Sequence, residues 1–280
     1  MPAEPSIRRE YRHVEGRHVH MRRAGTGSPL VMFHPSPGSS YRLEPLVSEL
    51  ARSRSVWALD TPGYGLSDPL DVPEPSAADY ADAHAETMEA VDVEGVDLYG
   101  SHTGAHIAIE LALRHPQLVD RLVLDGIALF TPEERDELLS RYIPRIEPDV
   151  HGSHLLRFWG MQRDMHLFFP WYEGTESARL DLDLPSAERL HELTMDFLHA
   201  GPEYWKGYRA AFTHDTEGAL GGLAVPTLVT AAATDPLATH LDRFDVSGPF
   251  TVVYPDPDED PVDGVAGRIV EFLDDRPPAE

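Results

Sequence analysis

A chain of 280 residues carries 23 basic against 48 acidic side chains, a formal net charge of −25, which argues against nucleic acid or an anionic membrane surface as partner. It contains no cysteine, so disulfides, thiolate metal ligands and a cysteine nucleophile are excluded. The N-terminus MPAEPSIRRE has no apolar export core and no apolar run is long enough to span a bilayer, so the expectation is a soluble cytoplasmic protein, monomeric or homodimeric, whose partner is a small molecule. Lys206 is the sole lysine, and with the abundant aspartate it hints at a salt-tolerant or high-GC source. The length suits one domain with an inserted lid.

Taken in chain order, short apolar runs alternate with longer helical patterns, which is how a mostly parallel sheet flanked by helices reads. YRHVEGRHVHMRR predicts a solvated hairpin turning at Glu15-Gly16, and PLVMFH (29–34) a buried strand. EPLVSELARS follows as a helix and SVWALD (55–60) as the next strand, which leads into the glycine-rich turn TPGYGLSD. SAADYADAHAETMEAV predicts a helix with Ser76 as N-cap and Tyr80, His84 and Met88 on one face. VDLYG and RLVLDG are strands enclosing the helix HTGAHIAIELALRH. PTLVTAAATD and FTVVYPDPDED are the last strands, and VAGRIVEFLDD is the last helix.

From Phe130 to about Asp215 the strand rhythm stops, and the segment is helical, aromatic and home to three of the four tryptophans. Residues 131–215 are therefore expected to form a helical cap over a core built from 1–130 and 216–280. Most of its aromatic side chains should fasten cap to core, and the rest should make the pocket beneath apolar.

LYGSHTGAH (98–106) carries the chemical signal, because Gly100 and Gly104 each lie two positions from His102. With FHPSPGSS and DTPGYGLSD before it and VPTLVTAAATDPL after it, the order of motifs resembles the α/β-hydrolase family over almost the whole chain. The resemblance implies a mostly parallel eight-stranded sheet flanked by helices, with the cap inserted after the sixth strand. It makes FHPSPGSS the oxyanion loop, LYGSHTGAH the nucleophile elbow and Asp235 the triad acid. Two positions depart from the family pattern: His102 stands where the serine belongs, and the catalytic histidine would fall near Pro255, yet no histidine follows His240.

The elbow still presents residue 102 to the pocket, and the backbone N–H groups of Ser36 and Thr103 still offer two donors to an oxyanion. A histidine there projects into the gap that the triad imidazole would fill, so a His102–Asp235 dyad is expected. Asp235 would fix the tautomer and favour the imidazolium, while burial and the helix dipole oppose it. Such a base suits hydrolysis, C–C cleavage, elimination or cyclisation of a small, largely apolar substrate bearing a carbonyl or carboxyl group. Nucleophilic attack by His102 is a second route, and a non-catalytic ligand-binding pseudohydrolase a third. No cofactor is implied.

His34 is expected to hold its loop or touch substrate. His106 shares a helix face with Glu110 and reads as a pocket wall rather than a metal ligand; no metal site is expected. Arg163 and Trp159, in the cap, are candidate substrate contacts, with Arg157 as a further candidate. His240 is expected on a solvated loop, and Ser101 is expected to point away from the pocket.

Overall fold

A computed structural model describes residues 5–275. Strands β1 (Arg8–Val14) and β2 (Arg17–Ala24) form an antiparallel hairpin whose turn residues Glu15 and Gly16 both take positive φ, 46° and 79°. β3 (Ser28–Phe33), β4 (Arg54–Leu59), β5 (Val96–Ser101), β6 (Val119–Asp125), β7 (Thr227–Thr230) and β8 (Phe250–Val252) complete one sheet in the order β1-β2-β4-β3-β5-β6-β7-β8. From β4 onward every pair is parallel. The eight-stranded, mostly parallel architecture is the one the motif order implies.

Alternation within the strands assigns the two faces. Val31 and Phe33 of β3, Leu98 of β5 and Leu122 and Leu124 of β6 join one buried cluster; Leu30 and Met32, Tyr99 and Val123, their immediate neighbours, join the other. Both faces are apolar because helices cover both, which is why these strands read as continuous hydrophobic runs. α1 (Glu44–Leu50) packs on the second face; α2 (Ala77–Ala90) and α3 (Thr103–Arg114) cover the first. Ser76 caps α2 through a reciprocal bond with Asp79, the hydroxyl accepting the Asp79 N–H at 3.2 Å.

Between β6 and β7 lie α4 (Pro132–Arg141), α5 (Ser153–Met165), α6 (Ala187–Ala200) and α7 (Trp205–Phe212), and α8 (Thr216–Leu220) returns the chain to β7. α9 (Pro261–Asp274) closes the fold beside α1. Phe158 of α5, Phe197 of α6 and Tyr204 meet edge-on, with ring centroids 5.0–5.5 Å apart, and share the cluster that contains Ile107 and Ile109 of α3. These aromatics are fully packed rather than free to meet a ligand. No helix of the described residues is long and apolar enough to cross a membrane.

Candidate active site

β5 ends at Ser101 and α3 begins at Thr103, so a single residue, His102, makes the turn. Its φ of 49° and ψ of −112° are unfavourable for a residue with a β-carbon, a strain of about 1–3 kcal/mol that its surroundings must hold. They do so in two ways. The His102 N–H donates to the Asp125 carbonyl at 3.0 Å. A Cβ at Gly104 would sit 2.3 Å from the Phe33 carbonyl oxygen and 2.9 Å from that of His34, so only glycine lets α3 start against the end of β3. The turn therefore brings His102 beside the HPSPG loop.

His102 Nε2 lies 2.6 Å from Asp235 Oδ2, and Asp235 Oδ1 accepts the Leu237 N–H at 2.7 Å. His102 Nδ1 has no hydrogen-bond partner among the described residues. The imidazole is 34% exposed and the carboxylate 11%, so the ring faces solvent from an acid that is largely covered. Burial opposes charge on the imidazole, but the charge and hydrogen bond of Asp235, with Asp125 behind them, outweigh it and raise the His102 pKa above 6.5. At Asp235 burial pushes upward, and the His102 charge and hydrogen bond with the Leu237 N–H overcome it, holding the carboxyl below 3.8. With the acid on Nε2, Nδ1 is the ring nitrogen without a partner among the described residues.

Two residues at the end of β6 belong to this arrangement and were not singled out from the sequence. Gly126 has φ +62°, and a Cβ there would stand 2.7 Å from both Asp235 Oδ2 and His102 Nε2. Its bare α-carbon is the floor on which the pair meets. Asp125 is buried; its Oδ2 accepts the Tyr99 hydroxyl at 2.5 Å, while Oδ1 is enclosed without a hydrogen-bond partner among the described residues. Burial, then the neighbouring Asp235 carboxylate, push the Asp125 carboxyl up to about 6. An acid at the C-terminal end of a central parallel strand was the available signal, since sites of such sheets gather there.

The HPSPG loop is held from below. His34 is buried, places Nδ1 3.0 Å from the Pro35 carbonyl and accepts the Thr61 N–H on Nε2 at 2.9 Å. Both ring nitrogens are engaged and burial lowers the pKa, so His34 is a neutral staple between the turns after β3 and β4. Asp60, at the head of the TPGYG turn, accepts the Ser40 and Leu66 N–H groups, each at 2.9 Å, pairs with His20 Nδ1 at 2.8 Å and also takes the Ser40 hydroxyl. The Tyr64 hydroxyl donates to the Tyr204 carbonyl at 2.9 Å and accepts the Gly207 N–H at 2.6 Å, which ties that turn to the helical segment between β6 and β7, and the Ser36 side chain shares the same hydroxyl. The backbone N–H groups of Ser36 and Thr103 go to no acceptor among the described residues.

Other sequence candidates fall elsewhere. His106, one turn along α3 from His102, is buried; its Nδ1 meets His214 Nδ1 and Thr216 Oγ1, each at 3.1 Å, and His214 Nε2 meets Glu110 at 2.9 Å. That set joins α3 to the segment between α7 and α8, and the partner His214 was not foreseen because it lies 108 residues away. Burial, then His214 and His102, drive the His106 pKa well below 6.5, so the ring is neutral. Arg163 is exposed, with its guanidinium held by Asp164 at 2.8 Å, so it points its charge to solvent rather than to the dyad. Trp159, on the same helix, is half-buried and Arg157 is exposed.

His240 corrects an expectation: it is buried, accepts the Leu129 N–H on Nδ1 at 2.8 Å and meets the Phe130 ring edge-on at 4.9 Å. Burial and the nearby Arg243 lower its pKa to about 4. Ser101 is buried. In the loop after β8, which includes Pro255, Glu259 is bound by Arg268 at 2.7 Å, and Arg268 also reaches Thr230 Oγ1 at 2.8 Å and the Ala231 carbonyl at 3.0 Å, so a cation fastens that loop to the end of β7.

A family model described as alpha/beta hydrolase fold matches residues 28–245. Among curated proteins, the chain is 38% identical over 134 residues to 2-hydroxymuconate semialdehyde hydrolase of Pseudomonas sp. (strain CF600), covering 44% of each chain; it thus spans less than half the length of that relative. It is 27% identical over 234 residues to a 2-hydroxy-6-oxononadienedioate/2-hydroxy-6-oxononatrienedioate hydrolase of Cupriavidus pinatubonensis (strain JMP 134 / LMG 1197), covering 75% of this chain and 72% of the relative. Among solved structures it is similar to epoxide hydrolase A of Mycobacterium thermoresistibile, with a TM-score of 0.73 at 19% identity over 96% of this chain and 99% of that one.

Proposed function

This chain belongs to the α/β-hydrolase fold family, and from that premise we propose that it is a hydrolase of small oxo-acids in which His102, oriented by Asp235, is the general base. The observation that carries the proposal is the attachment of Asp235 to His102 Nε2, which leaves Nδ1 unengaged at the strand–helix turn. The relatives' names supply the substrate class, compounds with a ketone or aldehyde carbonyl and one or two carboxylates.

In the neutral state the Nε2 proton is donated to Asp235, so Nδ1 holds the lone pair. Nδ1 takes a proton from a water molecule, and the hydroxide so formed attacks the substrate carbonyl carbon. The oxyanion that develops is received by the Ser36 and Thr103 N–H groups, which have no acceptor among the described residues to give up. Collapse expels the leaving group, which recovers the proton from Nδ1, and atoms and charge balance. Asp235 raises the His102 pKa, which strengthens the ring as a base. The same apparatus serves C–C cleavage, where the leaving group is a carbon acid.

The test is turnover of 2-hydroxymuconate semialdehyde by the parent, His102→Gln and His102→Ala, with substrate binding followed separately. Loss of turnover with binding retained supports the reading. Parent-like rates in both variants would refute His102 as base, and a parent that binds but never turns over would identify a non-catalytic relative.

A further inference from the structure

Away from the dyad, a cavity of about 220 Å³ opens at the seam between core and cap. One wall comes from the turn after β4, with Tyr64, Pro69 and Leu70, and from Tyr80 of α2; the other comes from the cap, with His199 and Lys206. The walls mix apolar residues of the turn with polar side chains, Ser67, His199, Glu203, Tyr80 and Lys206 among them, and the last two are the donors a ligand would meet. Tyr80 is almost wholly buried, yet its hydroxyl makes no hydrogen bond among the described residues. Lys206, the chain's one lysine, has a side chain that is 19% exposed and pairs with Glu203 at 2.7 Å. Glu203 is 56% exposed, so it can swing into water when another anion takes its place, whereas Lys206 cannot follow it out as readily.

We propose that this cavity binds a small planar carboxylate, its apolar body between the Tyr64–Leu70 turn and Tyr80, its anionic end on Lys206 and the Tyr80 hydroxyl. The volume suits a single-ring molecule. Occupancy would clamp the cap to the core, because the two walls belong to different parts of the fold. It would also bear on the dyad's neighbourhood through Tyr64, whose ring lines the cavity while its hydroxyl holds the Gly207 N–H, next in sequence to Lys206, and contacts Ser36. There is no slack in that link: a Cβ on Gly207 would come within 2.3 Å of Ser36 Oγ and 2.6 Å of the Tyr64 hydroxyl. The site is independent of the catalytic reading, since neither His102 nor Asp235 lines it.

Benzoate, and its uncharged analogue benzamide, probe the site by NMR titration of the intact protein. Saturable benzoate binding on the order of millimolar is expected for so few atoms, with benzamide at least about tenfold weaker because it loses the charge-assisted contact. Lys206→Gln should weaken benzoate to the benzamide level, and His102→Ala should leave it unchanged. A linear, non-saturating response would overturn the proposal, as would benzoate and benzamide binding alike, binding that survives in Lys206→Gln, or binding lost in His102→Ala, which would place the probe at the dyad.

Discussion

His102 meets Asp235 through Nε2, across 133 residues of chain, and turns Nδ1 away unengaged. The pairing engages one nitrogen with the acid and, on the proposed reading, leaves the other to exchange a proton. Because the His102 pKa is raised and that of Asp235 lowered, the pair is ionised between those two values. The pair stabilises the fold fully between the unfolded aspartate value of 3.8 and the unfolded histidine value of 6.5, loses that contribution as pH rises through the raised folded His102 pKa, and loses it as pH falls through the lowered Asp235 pKa.

A base must be neutral to accept a proton, so kcat/KM of the parent should rise with pH along a limb whose midpoint lies above 6.5. In Asp235→Asn the charge that raised the pKa is gone and burial remains, so the limb should move below its parental midpoint while kcat falls on the order of 10²–10⁴-fold. A pH–rate profile checks both; an unmoved midpoint would mean the limb belongs to another group.

Gly126→Ala places a methyl group 2.7 Å from both partners of the dyad, at a φ of +62°. The variant should lose about 2–4 kcal/mol of stability from overpacking and backbone strain together, and should lose activity even where it remains folded, because the dyad must separate to make room. Urea unfolding and turnover of the folded fraction measure the two effects apart. Retention of parental activity would show that the pair tolerates displacement.

Asp125 supplies a pH dependence of the opposite kind to an ordinary carboxylate. Its folded pKa of about 6 exceeds the unfolded value, so its stabilising contribution is present below the unfolded pKa and is lost as pH rises through about 6, on the order of 3 kcal/mol in all. Asp125→Asn keeps an acceptor for Tyr99 and removes the ionisation. Its stability relative to the parent should therefore improve between pH values of about 4 and 7, as followed by chemical denaturation at each pH; a constant difference across that range would assign the ionisation elsewhere.

Asp60 shows the usual direction. Burial pushes it up, but the hydrogen bonds from His20 and Ser40 help pull its pKa down to about 2, so its contribution is present above the unfolded value and lost as pH falls towards 2. Asp60→Ala strands the Ser40 and Leu66 N–H groups and the His20 ring and should cost about 3–5 kcal/mol. Thermal unfolding at neutral pH tests the magnitude, and a cost below about 1 kcal/mol would mean that water replaces the carboxylate.

The sequence by itself determined the sheet and the place of the reactive turn. Strands such as LVMF and LVLD are apolar at every position because both faces are covered, and that pattern is local. Gly100 and Gly104 register the turn on His102, since only residues without a β-carbon permit α3 to start so close to β3. The reach of His102 to Asp235 was also legible, because a long ring at a fixed turn has one gap to enter. Which nitrogen faces the acid was not, nor was the burial of His240, the His106–His214–Glu110 chain or the enclosed carboxyl of Asp125. Each of these depends on groups brought together from more than a hundred residues apart, or on the exclusion of water by packing, and neither quantity is written in the spacing of residues along a chain. Only the tertiary structure, by setting distances and removing solvent, decided which ionisable side chains are buried, with which partners, and which nitrogen of His102 the acid leaves unengaged among the described residues.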